Sequence, residues 1–183
     1  LGYRKGPFAL YALSKYTSKE QVNAALKQLL VKHGSGKPPL PTTLDLYREL
    51  KAITPDTLQY LLHDLFEVNS FWDLKTDKVT AQQTKAGTWQ VTLQVQARKD
   101  ITDEMGNEKH IPMNEWIEIG VFAAPEKGTE LDKVLYLQKH RISTGLQTIT
   151  VTVQNKPTHA GIDPNNLLID FKMHDNSRKV TFD

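Results

Sequence analysis

Histidine and carboxylate side chains at metal-ligand spacing are the first residues of this sequence that could carry chemistry. His63 and Glu67 lie four residues apart in a segment with helical periodicity, so both could reach one metal ion from the same helix face. The same spacing is typical of ion pairs that stabilise helix surfaces. We favour the surface ion pair and assign no metal to this position.

A second polar group lies near the end of the sequence and contains His159, Asp163, His174 and Asp175. Their spacing matches no known pattern of zinc or calcium ligands. Asp163 precedes Pro164 and two asparagines, a composition that is typical of a turn. The sequence therefore predicts a turn here, and we name no metal-ligating residue in this chain.

Other sequence motifs that could indicate calcium binding or catalysis are not matched. The acidic residues at 103–108 lack the ligand spacing of a calcium-binding EF-hand loop, and their central glycine predicts a hairpin tip. Neither the nucleophile elbow of serine hydrolases nor a phosphate-binding glycine motif occurs in the sequence. Nucleophilic and nucleotide chemistry therefore have no support.

Composition narrows the class of protein. The 183 residues include 23 basic and 21 acidic side chains, scattered along the chain with a formal charge of +2, so we expect no nucleic-acid partner. Cysteine is absent, which excludes disulfides, thiolate nucleophiles and cysteine-bound zinc within this chain. No apolar run approaches the roughly 20 residues that cross a bilayer, so we expect this segment to make no membrane contact itself.

Apolar residues recur at helical spacing in the first 70 residues. Ser18 is a predicted start and Gly34 a predicted end of one helix, and the proline-rich residues 35–41 are a predicted loop. The predicted helices are an opening segment with Phe8, Tyr11 and Ala12 on one face, a segment around Val22–Leu30, one from about Thr42 to Ile53, and one that carries Leu58–Phe66.

After residue 70, apolar residues recur at every second position instead of at helical spacing. Apolar and polar residues alternate strictly over 89–97 and again over 149–153, which predicts half-buried strands. Further strands are predicted at 71–81, 115–123, 133–142 and 167–172.

Helices followed by strands predict an α+β chain in two parts. We expect an N-terminal helical segment of about four helices over residues 1–70. An antiparallel immunoglobulin-like β-sandwich is expected over residues 71–183, with the domain boundary at 69–72.

The opening residues Tyr3-Arg4-Lys5-Gly6, followed by an apolar helix, resemble a segment of a known family. This run resembles the Tyr-x-Lys-Gly segment of the gluzincin zinc aminopeptidases, the family of aminopeptidase N. The likeness continues in family order through the later helices and strands to the tail AGIDPNNLLID at 160–170. It implies that residues 1–70 are the C-terminal helices of a peptidase catalytic domain and that residues 71–183 are the β-sandwich after it.

The resemblance implies one catalytic residue in this chain. The phenol of Tyr3 would donate a hydrogen bond to the oxyanion that forms in the transition state of peptide hydrolysis. On sequence physics alone, a tyrosine at this place is a half-buried packing residue with its hydroxyl at the surface.

The remaining machinery implied by the family is missing from this sequence. There is no H-E-x-x-H helix, no distal glutamate ligand and no G-x-M-E-N motif; residues 112–115 have similar letters in another order. Zinc would therefore be a cofactor of the full-length parent, held by residues upstream of Leu1. We expect no cofactor in this chain, no activity of the chain alone, and two partners: the upstream catalytic half and, in the full-length protein, a peptide substrate.

The sequence leaves the wider context open. It begins without methionine, and we expect a truncated expression product of a longer enzyme, cut just before Tyr3. The β-sandwich sequences resemble those of a bacterial subset often attached to transporter-permease-like membrane segments, so the resemblance implies a membrane-associated parent, attached to the bacterial inner membrane. The alternatives are a non-catalytic protein-interaction module that docks through a sheet edge and a pseudo-peptidase whose zinc half has decayed. An H-E-x-x-H helix in the upstream sequence would favour the enzyme.

Overall fold

The computed structural model describes the backbone of residues 2–182 and the side chains of residues 5–182. The chain forms two compact units, and the main division between them falls between Ser70 and Phe71. We refer to them as the helical unit, to which Thr102–Met105 also belongs, and the β unit. The helices come first and strands follow from Asn69 onwards, so the fold class is α+β.

Side-chain caps define where the helices begin. Ser18 Oγ accepts the Gln21 N–H at 3.1 Å, and the carboxylate of Asp45 accepts the Thr42 N–H at 2.8 Å. These bonds satisfy amides that have no partner inside a helix, as the sequence predicted for Ser18. None of the described helices is long and apolar enough to cross a membrane. The α-helices of the described residues are Gly2–Tyr16 (α1), Lys19–His33 (α2), Thr43–Ile53 (α3) and Gln59–Phe66 (α4).

The buried face of α1 differs from the predicted one. Ala9, Ala12 and Leu13 are fully buried, whereas Tyr11 is 51% exposed and Phe8 is half-buried. The small alanine side chains allow neighbouring helices to approach closely, and α1 contacts both α2 and α4. Of the predicted face of Phe8, Tyr11 and Ala12, Ala12 is buried and Phe8 is half-buried, whereas Tyr11 is exposed.

The strands form two sheets. The first has the order β3-β2-β1-β9, with β6 also paired to β2; the second has the order β5-β4-β7-β8. Strand β9 runs parallel to β1, while β6 is antiparallel to β2 and β4 is antiparallel to both β5 and β7. The strands of the described residues are Asn69–Gln83 (β1), Trp89–Thr102 (β2), Glu108–Ile111 (β3), Asn114–Ala123 (β4), Lys133–Ser143 (β5), Gly145–Val153 (β6), His159–Ile162 (β7), Ser177–Lys179 (β8) and Thr181–Phe182 (β9).

The apolar interior of the β unit lies between the two sheets. Val91 and Leu93 of β2 and Ile117 of β4 are fully buried, and each buried side chain of this size contributes about 1.5–3 kcal/mol. The side chain of Thr76 on β1 accepts the Ile162 N–H of β7 at 3.2 Å, so the facing sheets are in direct contact. The alternation over 89–97 is confirmed as a half-buried strand.

The predicted strand at 167–172 is wrong. The carboxylate of Asp163 accepts the N–H groups of Leu167 at 2.9 Å and Leu168 at 3.0 Å, which holds these residues in a turn. An isolated parallel bridge between Asp170 and Trp72 follows. Leu167 and Leu168 are buried, so this run is apolar because it packs into the core and not because it extends a sheet.

The chain crosses from one sheet to the other between β5 and β6. Gly145 has φ = +101°, a backbone conformation that side-chain-bearing residues rarely adopt, so the chain turns sharply there. Thr144 stabilises the corner, because its hydroxyl accepts the Met113 N–H at 2.9 Å and its own N–H donates to the Met113 carbonyl at 3.2 Å. Strands β5 and β6 are therefore consecutive in sequence but belong to different sheets.

Strand β1 is bonded to residues far along the sequence. The Leu74 N–H donates to the Asp170 carboxylate at 3.0 Å, and the Thr76 hydroxyl donates to the Asn176 carbonyl at 2.6 Å. Arg178 Nε donates to the Thr76 carbonyl at 3.1 Å. These partners are separated by 96, 100 and 102 residues, respectively.

Candidate functional site

The segment that carries the predicted catalytic residue forms the start of α1. The backbone of Tyr3 lies in the first turn of this helix, and its side chain lies outside the described residues. Two residues further on, Lys5 Nζ donates a hydrogen bond to the Val68 carbonyl at 2.6 Å. Val68 follows α4, so Lys5 links the start of α1 to the end of α4.

Lys5 belongs to a partly buried polar cluster in the helical unit. Burial lowers the pKa of its ammonium group below the usual value, and the nearby Asp64 carboxylate acts in the opposite direction. Asp64 is itself buried and accepts a hydrogen bond from Ser70 Oγ at 3.1 Å. Buried polar groups that satisfy one another hold a segment in a single position, so this cluster orients the first turns of α1.

His63 and Glu67 lie within hydrogen-bond distance of each other across one turn at the end of α4. Their Nδ1 and Oε2 atoms lie 3.1 Å apart, and both side chains are about half exposed. Glu67 also accepts a hydrogen bond from the Tyr47 hydroxyl of α3, and the bonds from Tyr47 and His63 lower the Glu67 pKa. The His63–Glu67 contact is the surface i,i+4 pair that the sequence favoured, and the Tyr47 bond additionally links α3 to the end of α4.

The polar residues near the end of the sequence have separate structural environments. The ring of His159 stacks on Phe122 with centroids 4.9 Å apart, Asp163 lies in the buried turn, and His174 lies in a short 3₁₀ helix. In the part of the chain that the structure describes, no group of three His, Cys, Asp or Glu side chains could hold a metal ion. At 103–108 the structure has the predicted hairpin tip, between β2 and β3.

Asp163 is a fully buried carboxyl group. Burial raises its pKa to about 7, although the N–H groups of Leu168 and Leu167 favour the charged form, and the nearby Glu118 and Asp170 carboxylates raise the pKa further. The folded β unit therefore binds a proton at Asp163 more tightly than the unfolded chain does.

We expect the free energy of unfolding of the β unit to decrease as the pH rises from about 4 to about 7. A pKa that is higher in the folded state stabilises the fold below the unfolded pKa, and this contribution is lost as the pH rises through the folded pKa. The decrease should be at most about 1.4 kcal/mol for each pH unit. Urea unfolding can measure it through the fluorescence of the three tryptophans, all of which lie in the β unit.

Asp163→Asn is the control for this titration. The amide offers one acceptor where the carboxylate offers two, so the variant should be less stable at every pH. Its stability should nevertheless depend less steeply on pH between 4 and 7, because the group that titrates is gone. Burial also raises the pKa of Asp170, but that residue is present in both proteins. Equal pH slopes in the two proteins would contradict the assignment.

A buried ion pair that the sequence analysis missed joins the two sheets. Lys99 Nζ of β2 lies 2.6 Å from Glu115 Oε1 of β4, and each side chain is 7% exposed. The Trp72 indole N–H donates to Glu115 Oε2 at 3.0 Å. The strand alternation contains the signal, because Lys99 continues the inward positions of 91–97 and Glu115 begins those of 115–121. An inward charged side chain requires a partner of opposite charge.

A small cleft is lined by residues of β1, β2 and β3 and by Phe171 and Lys172. Arg98 forms ion pairs with Asp73 at 3.2 Å and Asp100 at 3.1 Å, and His110 contacts the same Asp100. The cleft measures about 120 Å³, whereas ligand pockets usually measure about 300–1,000 Å³. Its charged side chains already neutralise one another, so this cleft supports no small-molecule site.

The fold and these contacts place the chain in the α+β class, with a helical unit and a two-sheet β unit, and in no narrower class. No family model matches the sequence, and no curated protein matches it. Two solved structures of a β-glucosidase from Listeria innocua, in complex with isofagomine and with glucose, match 62% of this chain at 11% identity. Their TM-scores are 0.31 and 0.28, and the match spans 16% of those chains. At these values the similarity carries no argument about fold or function.

Proposed function

We propose that this chain is the downstream part of a zinc aminopeptidase of the gluzincin type, a hydrolase that removes N-terminal residues from peptides. The observation that carries the proposal is the Tyr-x-Lys-Gly segment at the start of α1, where Lys5 is bonded to the Val68 carbonyl at 2.6 Å. A residue that acts on a transition state must be held in a defined position, and this bond holds the turn that contains Tyr3. In the proposal, the β unit is the immunoglobulin-like β-sandwich that follows the catalytic domain in that family.

The proposed role of Tyr3 is to donate a hydrogen bond from its phenol to the oxyanion of the tetrahedral intermediate. A donor that is already oriented stabilises charge as it develops, without reorganisation during the reaction. Lys5 is a positioning residue in this scheme, since its contacts are to the protein backbone and to the Asp64 region. Both roles are proposed from the resemblance and from the contacts of Lys5.

Zinc does not fit the described residues of this chain. No group of three potential ligands exists among the side chains of residues 5–182. We therefore derive no catalytic step through a metal from these residues, and we propose that the ligands and the general base belong to the upstream catalytic half.

Exposed apolar side chains of the helical unit support contact with the upstream catalytic half. Leu30 and Val31 at the end of α2 are 68% and 70% exposed, and Leu40 and Leu44 ahead of and within α3 are also exposed. Helices α2 and α3 contact each other, and exposed apolar side chains on neighbouring helices can form a face that another part of a protein covers. We propose that the upstream half of the same protein covers this face.

The full-length protein should release N-terminal residues from aminoacyl amide substrates. Dialysis against a chelator should abolish this activity, and added zinc should restore it, because the ligand set is complete only in the full-length protein. An N-acetylated substrate is the matched control and should not be cleaved, since a blocked amine is no substrate for an aminopeptidase. A full-length protein with no H-E-x-x-H helix and no chelator-sensitive activity would contradict the proposal.

The alternative function is a non-catalytic interaction module that docks through a sheet edge. The observation that favours it is the uncharged edge strand β6, because unpaired edges are templates for additional strands. A protein that binds partners with undiminished affinity after Tyr3→Phe substitution, and that cleaves no aminoacyl amide, would favour this alternative.

A further inference from the structure

Strand β6 is an edge of the first sheet. Its nine residues pair with β2 in continuous register, from Trp89 opposite Val153 to Ala97 opposite Gly145. Among the strands of residues 2–182, β2 is the partner recorded for β6. The N–H and C=O groups along the other side of β6 therefore face away from the sheet without a strand to bond.

The sequence of β6 lacks the features that normally protect an edge. It reads Gly-Leu-Gln-Thr-Ile-Thr-Val-Thr-Val, with no charged residue and no proline. Natural edge strands are usually protected by lysines, prolines or bulges. Strand β5, the long edge of the second sheet, has such protection, because it carries Lys133, Lys139 and Arg141 and its pairing with β4 shifts register at Val121/Phe122.

The two faces of β6 specify what can pair with it. Thr148, Thr150 and Thr152 are exposed on the outer face, whereas Val151 and Val153 are buried on the inner face. An added strand needs the same alternation of apolar and small polar residues to extend both faces. Because β6 itself has this pattern, a second copy of the chain supplies a suitable strand.

We propose that β6 pairs with β6 of a second copy of this chain, antiparallel and about a two-fold axis, which joins the two first sheets into one. Directly opposite residues in such a pair must lie on the same face, so the axis passes through a residue and not between residues. Full overlap of the nine residues places the axis at Ile149. Thr148 then lies opposite Thr150 of the partner subunit.

The absence of charged side chains on β6 favours a second copy of the chain as its partner. At a two-fold axis every charged side chain meets its own duplicate, which is destabilising in directly opposite positions. Strand β6 has no such side chain, and the outer face of β2 is also uncharged over the segment that pairs with β6, with Gln90, Thr92, Gln94 and Gln96. Self-pairing therefore brings no like charges together within two strands of the axis.

The expected dimer is weak. One pair of strands buries less than the roughly 1,200–2,000 Å² of stable complexes, so the dimer should form over about 10 µM to 1 mM. This association depends on no catalytic role of the chain, and its presence or absence leaves the peptidase proposal untouched.

Sedimentation equilibrium of this chain and of two matched variants tests the pairing. Thr148→Lys with Thr150→Lys places four lysines around the axis, and the dissociation constant should increase at least about tenfold. Thr92→Lys with Gln94→Lys adds the same charge to the same face, directly opposite those positions but on the interior strand β2. This control should dimerise nearly as well as the unmodified chain, because its lysines lie one strand further from the axis and are screened.

Tryptophan fluorescence should first show that both variants unfold at similar urea concentrations, so that a change in dimerisation is not a loss of folding. A chain that stays monomeric up to about 1 mM overturns the proposal, as does a dimer that persists unchanged in the Thr148→Lys/Thr150→Lys variant. Equal weakening by the two lysine pairs also overturns it, since that would indicate net charge and not the β6 edge.

Disulfide formation tests the register in a chain that has no cysteine of its own. Side chains directly opposite in an antiparallel pair lie about 4.5–5.5 Å apart at Cβ, close to what a disulfide requires. A mixture of the Thr148→Cys and Thr150→Cys proteins should therefore cross-link faster than either protein alone. Faster cross-linking of either single variant would overturn the Ile149 axis.

Discussion

Tyr3→Phe in the full-length protein should lower kcat by about 10²–10³-fold and leave KM nearly unchanged. The substitution removes one hydroxyl that we propose donates to the oxyanion, an interaction that forms in the transition state and not in the bound substrate. The substitution keeps the aromatic ring and removes no other atom. Steady-state kinetics on an aminoacyl amide substrate measure both constants.

Tyr11→Phe is the matched control for this experiment. Tyr11 lies on the same helix, is 51% exposed, and loses the same hydroxyl in the same substitution. We expect its kinetic constants to equal those of the unmodified enzyme. If Tyr3→Phe changed KM alone, or if both variants lost activity equally, Tyr3 would not be an oxyanion donor.

Glu115→Gln should lower the free energy of unfolding of the β unit by about 3–5 kcal/mol. The substitution removes the negative charge that lies 2.6 Å from the buried Lys99 ammonium, which is more costly than losing a single neutral hydrogen bond. The amide must also present either its oxygen or its nitrogen to the Trp72 indole N–H, and only the oxygen can accept that bond. Urea unfolding followed by tryptophan fluorescence measures the loss.

Two comparisons show whether burial causes this effect. Glu126→Gln breaks an ion pair with Lys133 at 2.5 Å that is exposed to solvent, and it should leave the unfolding midpoint almost unchanged. Combining Glu115→Leu with Lys99→Met removes both charges at once and should recover much of the stability lost in Glu115→Gln. A double variant no more stable than Glu115→Gln would show that the pair contributes through specific bonds and not through charge balance.

The arrangement of helices before strands could be predicted because it depends on local patterns. Ser18 begins α2 by accepting an amide three residues later, and the alternation over 89–97 places every second side chain of β2 in the interior. Both effects involve residues that are neighbours in sequence, so the sequence contains the whole signal.

The misassigned elements depend on side-chain bonds and helix contacts that apolar periodicity does not describe. Residues 167–172 have an apolar run like that of a strand, but the carboxylate of Asp163 binds the Leu167 and Leu168 amides and prevents a ladder. The face of α1 was misjudged because close packing against α2 and α4 selects alanine over tyrosine, and that contact cannot be read from α1 alone.

The residues of the candidate site also differ in whether the local sequence pattern predicts them. Tyr3 was singled out by resemblance to a family, and no rule of helix periodicity separates it from an ordinary packing tyrosine. The Lys5 bond to Val68 spans 63 residues and could not be predicted from the Tyr-x-Lys-Gly letters. By contrast, the Lys99–Glu115 pair follows from strand parity, since both residues occupy inward positions where an unpaired charge is not tolerated.

The bonds from β1 to residues about a hundred positions later have a consequence for synthesis of the chain. The carbonyl and hydroxyl of Thr76 and the amide of Leu74 find their partners in the last fifteen or so residues of the sequence. A ribosome makes the first 70 residues, which form most of the helical unit, before it makes the β unit. These bonds of β1 cannot form until translation is almost finished, and until then the incomplete β unit is exposed to aggregation and to chaperones.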